Sequence, residues 1–116
     1  MEDILLIEEN ITTDTLKEIA SRRYGDLIKV VVDIDKKIMA IGGEMHADEE
    51  KILLEYGSLQ DNLWGINIYP DFDKESRIEF DSVINIRPRQ NNRSRSVEDE
   101  KMRNLITETV NNLIKE

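Results

Sequence analysis

Apolar residues recur along this chain with two different periods, and the switches between them mark its elements. Ile4-Leu5-Leu6-Ile7 is a short apolar run, the length of an edge strand. Asn10-Ile11-Thr12-Thr13-Asp14 then opens a helix. With Thr12 at the N-cap, Ile11 and Leu16 occupy the two positions of a hydrophobic staple. Leu16, Ile19, Ala20 and Tyr24 continue at helical spacing, and Gly25 suits the residue after the helix. Leu27 to Asp35 is β-branched and predicts a strand. Lys36-Lys37 turns it into a second strand, Ile38-Met39-Ala40-Ile41, which Gly42-Gly43 ends. Both faces of this hairpin are largely apolar, so it is expected to be central in its sheet or covered on both sides. Residues 47–56 predict a helix, capped by Asp48 or a residue just before it, with Gly57 following. Leu63 to Tyr69 predicts a strand with Trp64, Ile66 and Ile68 on one face. After a turn over 70–75, strict alternation from Arg77 to Arg87 predicts one long strand. An irregular loop from Pro88 to Arg95 follows. Ser96-Val97-Glu98-Asp99 matches a capping box, and the last helix runs to about Lys115 with Met102, Leu105, Ile106, Val110, Leu113 and Ile114 as its apolar stripe.

The order is β-α-β-β-α-β-β-α. It predicts a single α+β domain: an antiparallel or mixed sheet of about four to five strands, with about three helices packed mainly on one face. The first six elements have the order of a ferredoxin-like split βαβ unit. A length of 116 residues fits one domain.

Composition narrows the function classes. Charged residues make up 35% and the net charge is −9. A general nucleic-acid coating protein draws its affinity from phosphate contacts, and this chain repels polyanions overall. The charge is uneven, however. Residues 87–95 hold four arginines and no acid, which leaves −13 on the rest of the chain. A basic patch on an acidic body can select a specific anion. The absence of cysteine excludes disulfides, thiolate zinc sites and cysteine nucleophiles. No apolar run approaches the roughly 20 residues of a membrane-spanning helix. The start, Met1-Glu2-Asp3-Ile4, is acidic and lacks a signal-peptide pattern, which favours the cytoplasm. Motifs for phosphate loops, dinucleotide binding, nucleophile elbows and zinc proteases are absent.

Three constellations could carry chemistry. In Glu44-x-His46-x-Asp48 an extended chain would bring two carboxylates and the only histidine to one face. That set could orient a general base or hold a metal, with the metal unspecified. The structural alternative makes Asp48 a helix cap, Glu44 a solvated acid and His46 a turn residue. The second set is Asn85, Arg87, Arg89, Asn91, Asn92 and Arg93, with Arg95 at its end. Arginine forks bind carboxylate and phosphate oxygens, and a helix N-terminus beside them adds N–H donors. Alternatively, these arginines pair with the acids of the same surface. The third is Asp33 with Asp35. Asp35 fits turn chemistry. Asp33 interrupts an apolar strand, so it requires either an ion-pair partner, such as an arginine of the loop, or solvent. Trp64 sits among inward isoleucines and reads as core rather than as a stacking platform.

Three segments together resemble an uncharacterised family of small prokaryotic proteins, a domain of unknown function. They are Gly42-Gly43-Glu44-Met45-His46-Ala47-Asp48, Leu63-Trp64-Gly65-Ile66-Asn67-Ile68-Tyr69-Pro70, and Ile84-Asn85-Ile86-Arg87-Pro88 with Asn92-Arg93-Ser94. The resemblance implies a single intracellular domain and carries no activity, cofactor or partner with it.

Two functions compete on these residues. In the first, segments 42–48 and 85–95 meet and form an anion- or phosphate-handling site. His46, Glu44 and Asp48 would act as base or metal ligands, the arginines would clamp a small anionic ligand or phosphoester, and hydrolysis would be within reach. In the second, the chain is a non-catalytic interaction protein. It would bind itself or a partner through the 98–115 helix, or occupy a basic protein with its acidic body.

Overall fold

The structure is a computed structural model and describes residues 4–116; the acidic start Met1-Glu2-Asp3 lies outside the described residues. Seven strands and three helices follow one another: β1 (Leu5–Ile7), β2 (Ile11–Thr12), α1 (Thr13–Arg23), β3 (Ile28–Asp33), β4 (Ile38–Ile41), α2 (His46–Tyr56), β5 (Leu63–Ile68), β6 (Ile78–Glu79), α3 (Glu100–Leu113) and β7 (Ile114–Lys115). Short 3₁₀ turns occupy Gln60–Asn62, Val83–Asn85 and Pro88–Gln90.

Local chemistry sets the helix ends. Thr12 caps α1, its side chain accepting a hydrogen bond from the Thr15 backbone N–H, and Ile11 and Leu16 are both buried as the staple requires. Gly57 closes α2 in a left-handed conformation at φ 114° that favours glycine. For α3 the cap is Asp99, which accepts from the Lys101 backbone N–H, rather than the Ser96 expected from the capping-box pattern.

The main sheet runs β1-β4-β3-β5-β6, and every neighbouring pair in it is antiparallel. The connection from β1 through α1 to β3 straddles β4, which is the split βαβ arrangement. The departure from a ferredoxin-like sheet lies in the next unit. The connection from β4 through α2 to β5 straddles β3, so β5 lies outside β3 instead of beside β1. The two connections step the same way along the sheet on strands of opposite direction. Sharing one hand, they must place their helices on opposite faces.

The cores follow that rule. On one face, Leu16 and Ile19 of α1 and Ile106, Val110 and Leu113 of α3 pack against Val30, Val32, Met39, Ile41, Trp64, Ile66 and Ile68. On the other, Leu53 of α2 packs with Val31, Ile38, Ala40 and Leu63. The central hairpin is thus covered on both sides, which explains its continuous apolar sequence. A parallel pairing of β2 with β7 ties the segment before α1 to the end of α3. Among the described residues, no helix is long and apolar enough to cross a membrane.

The long strand expected over 77–87 is replaced by the two-residue β6 and a 3₁₀ turn. Ser82 breaks the pattern, its hydroxyl accepting a hydrogen bond from the Ile84 backbone N–H and so capping the turn. Arg77, just before β6, is almost fully buried. It donates from Nη2 to Asn111 Oδ1 at 2.9 Å and from Nη1 to Glu116 Oε2 at 3.3 Å, binding the hairpin to the chain end.

Candidate functional site

The 42–48 segment turns from the end of β4 into α2. The helix begins at His46 with Met45 as an N-cap that gives no side-chain hydrogen bond. Residues 44, 46 and 48 therefore do not alternate along an extended chain. Glu44 is exposed, its backbone carbonyl accepting the Tyr24 hydroxyl proton, and Asp48 is half-buried in the first helical turn. His46 is the buried member of the three, at 7% exposure. The acid that ties this turn together is Glu49, whose Oε2 accepts from the Gly43 backbone N–H at 2.8 Å. A Cβ on Gly43 would stand 3.0 Å from Glu49 Cγ, so the carboxylate can approach because the residue is glycine. Among the described residues, no group of three or more His, Cys, Asp or Glu side chains could hold a metal ion.

The ring of His46 has a fixed tautomer. Nε2 lies 2.7 Å from the carbonyl oxygen of Ile66, and a carbonyl only accepts, so Nε2 carries the hydrogen. In the neutral ring Nδ1 is then the nitrogen that carries the lone pair. Burial lowers the His46 pKa from its ordinary value. The Ile66 carbonyl and Asp81 oppose that shift, while the cations Lys29 and Arg95 add to it.

Alternation along the sheet supplies the neighbours. Trp64, Ile66 and Ile68 face α1 and α3, so Asn67 faces the α2 side. Lys29 on β3 is paired with Asn67 on β5, and Asn67 with Glu79 on β6. Asn67 Nδ2 donates to Glu79 Oε1 at 2.9 Å and to the Asp81 carbonyl at 3.5 Å. Its Oδ1 is enclosed without a partner among the described residues. Asp81 Oδ1 in turn holds Arg95 Nε at 2.6 Å. One end of the sheet thus carries His46, Lys29, Asn67, Asp81 and Arg95.

The rest of the arginine loop holds the fold. Asn85, fully buried, accepts the Gly65 backbone N–H at 2.8 Å and donates to the Gly65 carbonyl at 2.9 Å and the Arg95 carbonyl at 3.0 Å. Asn92 donates to the carbonyls of Asn85, Ser94 and Ser96 and accepts from the Glu98 N–H. Arg87 is buried, donates to the carbonyls of Gln60 and Leu63, and lies over the Trp64 ring with Cζ 4.2 Å from its centre. Arg89 pairs with Asp61 at 2.6 Å, which is the self-pairing reading of the loop. Asn91 is exposed in a left-handed turn at φ 61°. Arg93 is exposed, and its backbone N–H donates to Glu98 Oε2 at 3.0 Å. Hydrogen bonds from Ser94 and Arg93 hold the Glu98 carboxyl below its ordinary pKa. Arg95 bears on His46 only through its charge, while Arg87 and Arg89 turn to the Gln60–Leu63 end of β5.

Asp33 is neither ion-paired to an arginine nor solvated. It is fully buried. Its Oδ1 accepts the N–H groups of Asp35 and Lys36 at 2.9 Å each, and its Oδ2 accepts the Ser58 hydroxyl at 2.6 Å. Neutral donors, two in the hairpin turn and one just after α2, satisfy the carboxylate. Sequence reasoning missed Ser58, Lys29, Asn67 and Asp81. For Asn67 the only signal was a polar residue interrupting a strand whose other positions, Leu63 to Ile68, are apolar or glycine.

Fold and site together define a small α+β domain, with an antiparallel sheet covered on both faces and a polar corner around one neutral histidine. The chain belongs to the family described as protein of unknown function DUF5674, whose model matches residues 5–113. No curated protein and no solved structure matches it.

Proposed function

We infer that the corner of His46, Lys29 and Arg95 binds a small anion, with His46 Nδ1 as proton acceptor beside it. The observation that carries this reading is the hydrogen bond from His46 Nε2 to the Ile66 carbonyl. It sets the tautomer, and burial keeps the ring neutral, so a lone pair is left on a ring that feels the charge of two cations. Arg95 binds Asp81 through Nε, which leaves its terminal fork for ligand oxygens. With a phosphoester bound, Nδ1 takes a proton from a water whose oxygen bonds to phosphorus, the ester P–O bond breaks and the departing alkoxide takes a proton from solvent, while Arg95 and Lys29 stabilise charge on the phosphoryl oxygens. Isothermal titration with inorganic phosphate tests the reading. The wild-type protein is expected to bind, and Arg95→Gln or Lys29→Met to weaken binding about tenfold or more. Equal affinity in all three proteins, or no binding by any, contradicts it.

A second reading, a partner-binding module, rests on a different surface. The helix over 98–115 buries Ile106, Val110 and Leu113 against its own sheet and leaves Leu105 of its stripe exposed. Further exposed apolar side chains lie on α2 and in or next to two of the 3₁₀ turns: Leu54, Leu59 at 69% exposure, Val83 and Ile86. An apolar cluster of this kind on so charged a protein favours protein contact. Sedimentation of the wild type against Leu59→Ser/Val83→Ser tests it. A self-associating wild type and a monomeric double variant support it, whereas a strictly monomeric wild type removes self-association through this face.

A further inference from the structure

The two edges of the main sheet differ. β6 offers two residues, and the chain beyond it is already taken, since the Ser82 N–H donates to the Arg95 carbonyl at 3.0 Å. At the other edge β1 pairs with β4 alone, and among the described residues no further backbone hydrogen bond involves Leu5, Leu6 or Ile7. The run Ile4-Leu5-Leu6-Ile7 has none of the lysines or prolines that guard an open edge. Three residues supply few hydrogen bonds, so a strand docking here must also be held by side chains.

The side chains beside β1 are complementary to themselves. Leu6 packs on the α2 side of the sheet and Ile7 on the α1 side, so alternation puts Leu5 on the α1 side, where it is 44% exposed. There it lines a cavity of about 410 Å³ together with Gly42 and with Ile19, Arg22 and Arg23 of α1. Arg22 is exposed and reaches Glu18 of its own helix at 3.8 Å, a contact of little strength. The other end of β1 carries the opposite charge in Glu8 and Glu9, both exposed. Glu8 accepts the Tyr56 hydroxyl proton, whereas the Glu9 carboxylate has no partner among the described residues. A strand flanked by an arginine at its start and an acid at its end matches a copy of itself running the opposite way, which is what a two-fold axis supplies. We propose that this protein forms a two-fold dimer by antiparallel pairing of β1 with β1 of a second copy, Glu9 of each copy lying beside Arg22 of the other. The two five-stranded sheets then join into one. With the axis at Leu6, Leu5 of one copy stands opposite Ile7 of the other on the same face, which covers its exposed surface.

Sedimentation equilibrium of the full chain tests the proposal. The wild type is expected to dimerise, and Leu5→Lys, which puts a charge on the open edge, to weaken the dimer about tenfold or more. Glu9→Arg should also weaken it about tenfold, because symmetry repeats the lost contact. It does so although it lowers the net negative charge, which by itself favours association. Glu9→Arg/Arg22→Glu keeps the net charge of −9 and should restore wild-type association. All three positions are exposed, so the variants are expected to fold, and unchanged circular dichroism checks that they do. Leu59→Ser/Val83→Ser leaves β1 untouched and should dimerise as the wild type does. A wild type that stays monomeric up to about 1 mM overturns the proposal. So does a dimer indifferent to Leu5→Lys, one weakened by Glu9→Arg and not restored by the double reversal, or one lost in Leu59→Ser/Val83→Ser.

Discussion

Asn85 occupies the edge of β5 as a strand would, exchanging a pair of hydrogen bonds with the backbone of Gly65 through its side-chain amide. One amide thus supplies the pairing that the expected 77–87 strand would have given. Replacing Asn85 by Ala leaves the Gly65 N–H and C=O buried without partners. Each orphaned group costs about 1–3 kcal/mol, so unfolding stability is expected to fall by about 2–6 kcal/mol. Asn85→Asp should not rescue it, because a carboxylate cannot donate to the Gly65 and Arg95 carbonyls. Urea unfolding checks both. A variant with wild-type stability would mark Asn85 as dispensable to the fold.

Gly65 itself is fixed by the same turn. A Cβ built on it meets Ser82 Cβ at 2.6 Å and Ile84 Cγ1 at 3.1 Å. Gly65→Ala should cost about 1–3 kcal/mol through overpacking. Ser82→Gly removes the atom in the way, so the double variant should be more stable than the sum of the two single losses predicts. Strict additivity would show that the clash is relieved elsewhere.

Arg87 binds two carbonyls with one fork and covers the Trp64 ring. Lysine keeps the charge but cannot span both acceptors. Arg87→Lys is expected to lose about 1.5–3 kcal/mol of stability in chemical denaturation, and a loss below 0.5 kcal/mol would contradict a structural role.

The sequence carried the two helices that begin and end on strong local signals, the staple at Thr12 and the glycine at Gly57, because those signals act within a few residues. It also carried the central hairpin, whose apolar faces report burial on both sides. The 77–87 segment misled because Ile78, Phe80, Ser82, Ile84 and Ile86 alternate like a strand, while its hydrogen bonding is set by Ser82 and by the distant Gly65. The proposed anion site was only partly legible for the same reason. Arginine and asparagine are suited equally to ligands and to backbone carbonyls, and only the fold reveals that Arg87, Asn85 and Asn92 serve carbonyls while Arg95 lies at the His46 corner. Lys29 and Asn67 lie 38 residues apart and meet through strand pairing, which no local pattern announces.

Stability should depend on pH through His46. Its folded pKa lies below the ordinary imidazole value near 6.5, so the unfolded chain takes up a proton first as pH falls. The contribution of His46 is fully present above about pH 6.5 and is lost as pH falls through the folded pKa. His46→Gln should flatten this part of the stability profile, as followed by thermal unfolding between about pH 7.5 and 5. An identical slope in the variant would assign the pH dependence to other groups.

The anion-binding reading is tested most directly by a nitrogen-detected NMR titration of the single imidazole, with and without inorganic phosphate. Without phosphate, His46 is expected to carry its hydrogen on Nε2 and to titrate below 6.5. With phosphate, its pKa should rise, because an anion beside Nδ1 favours the imidazolium. A ring that titrates near 6.5 and ignores phosphate would contradict the account.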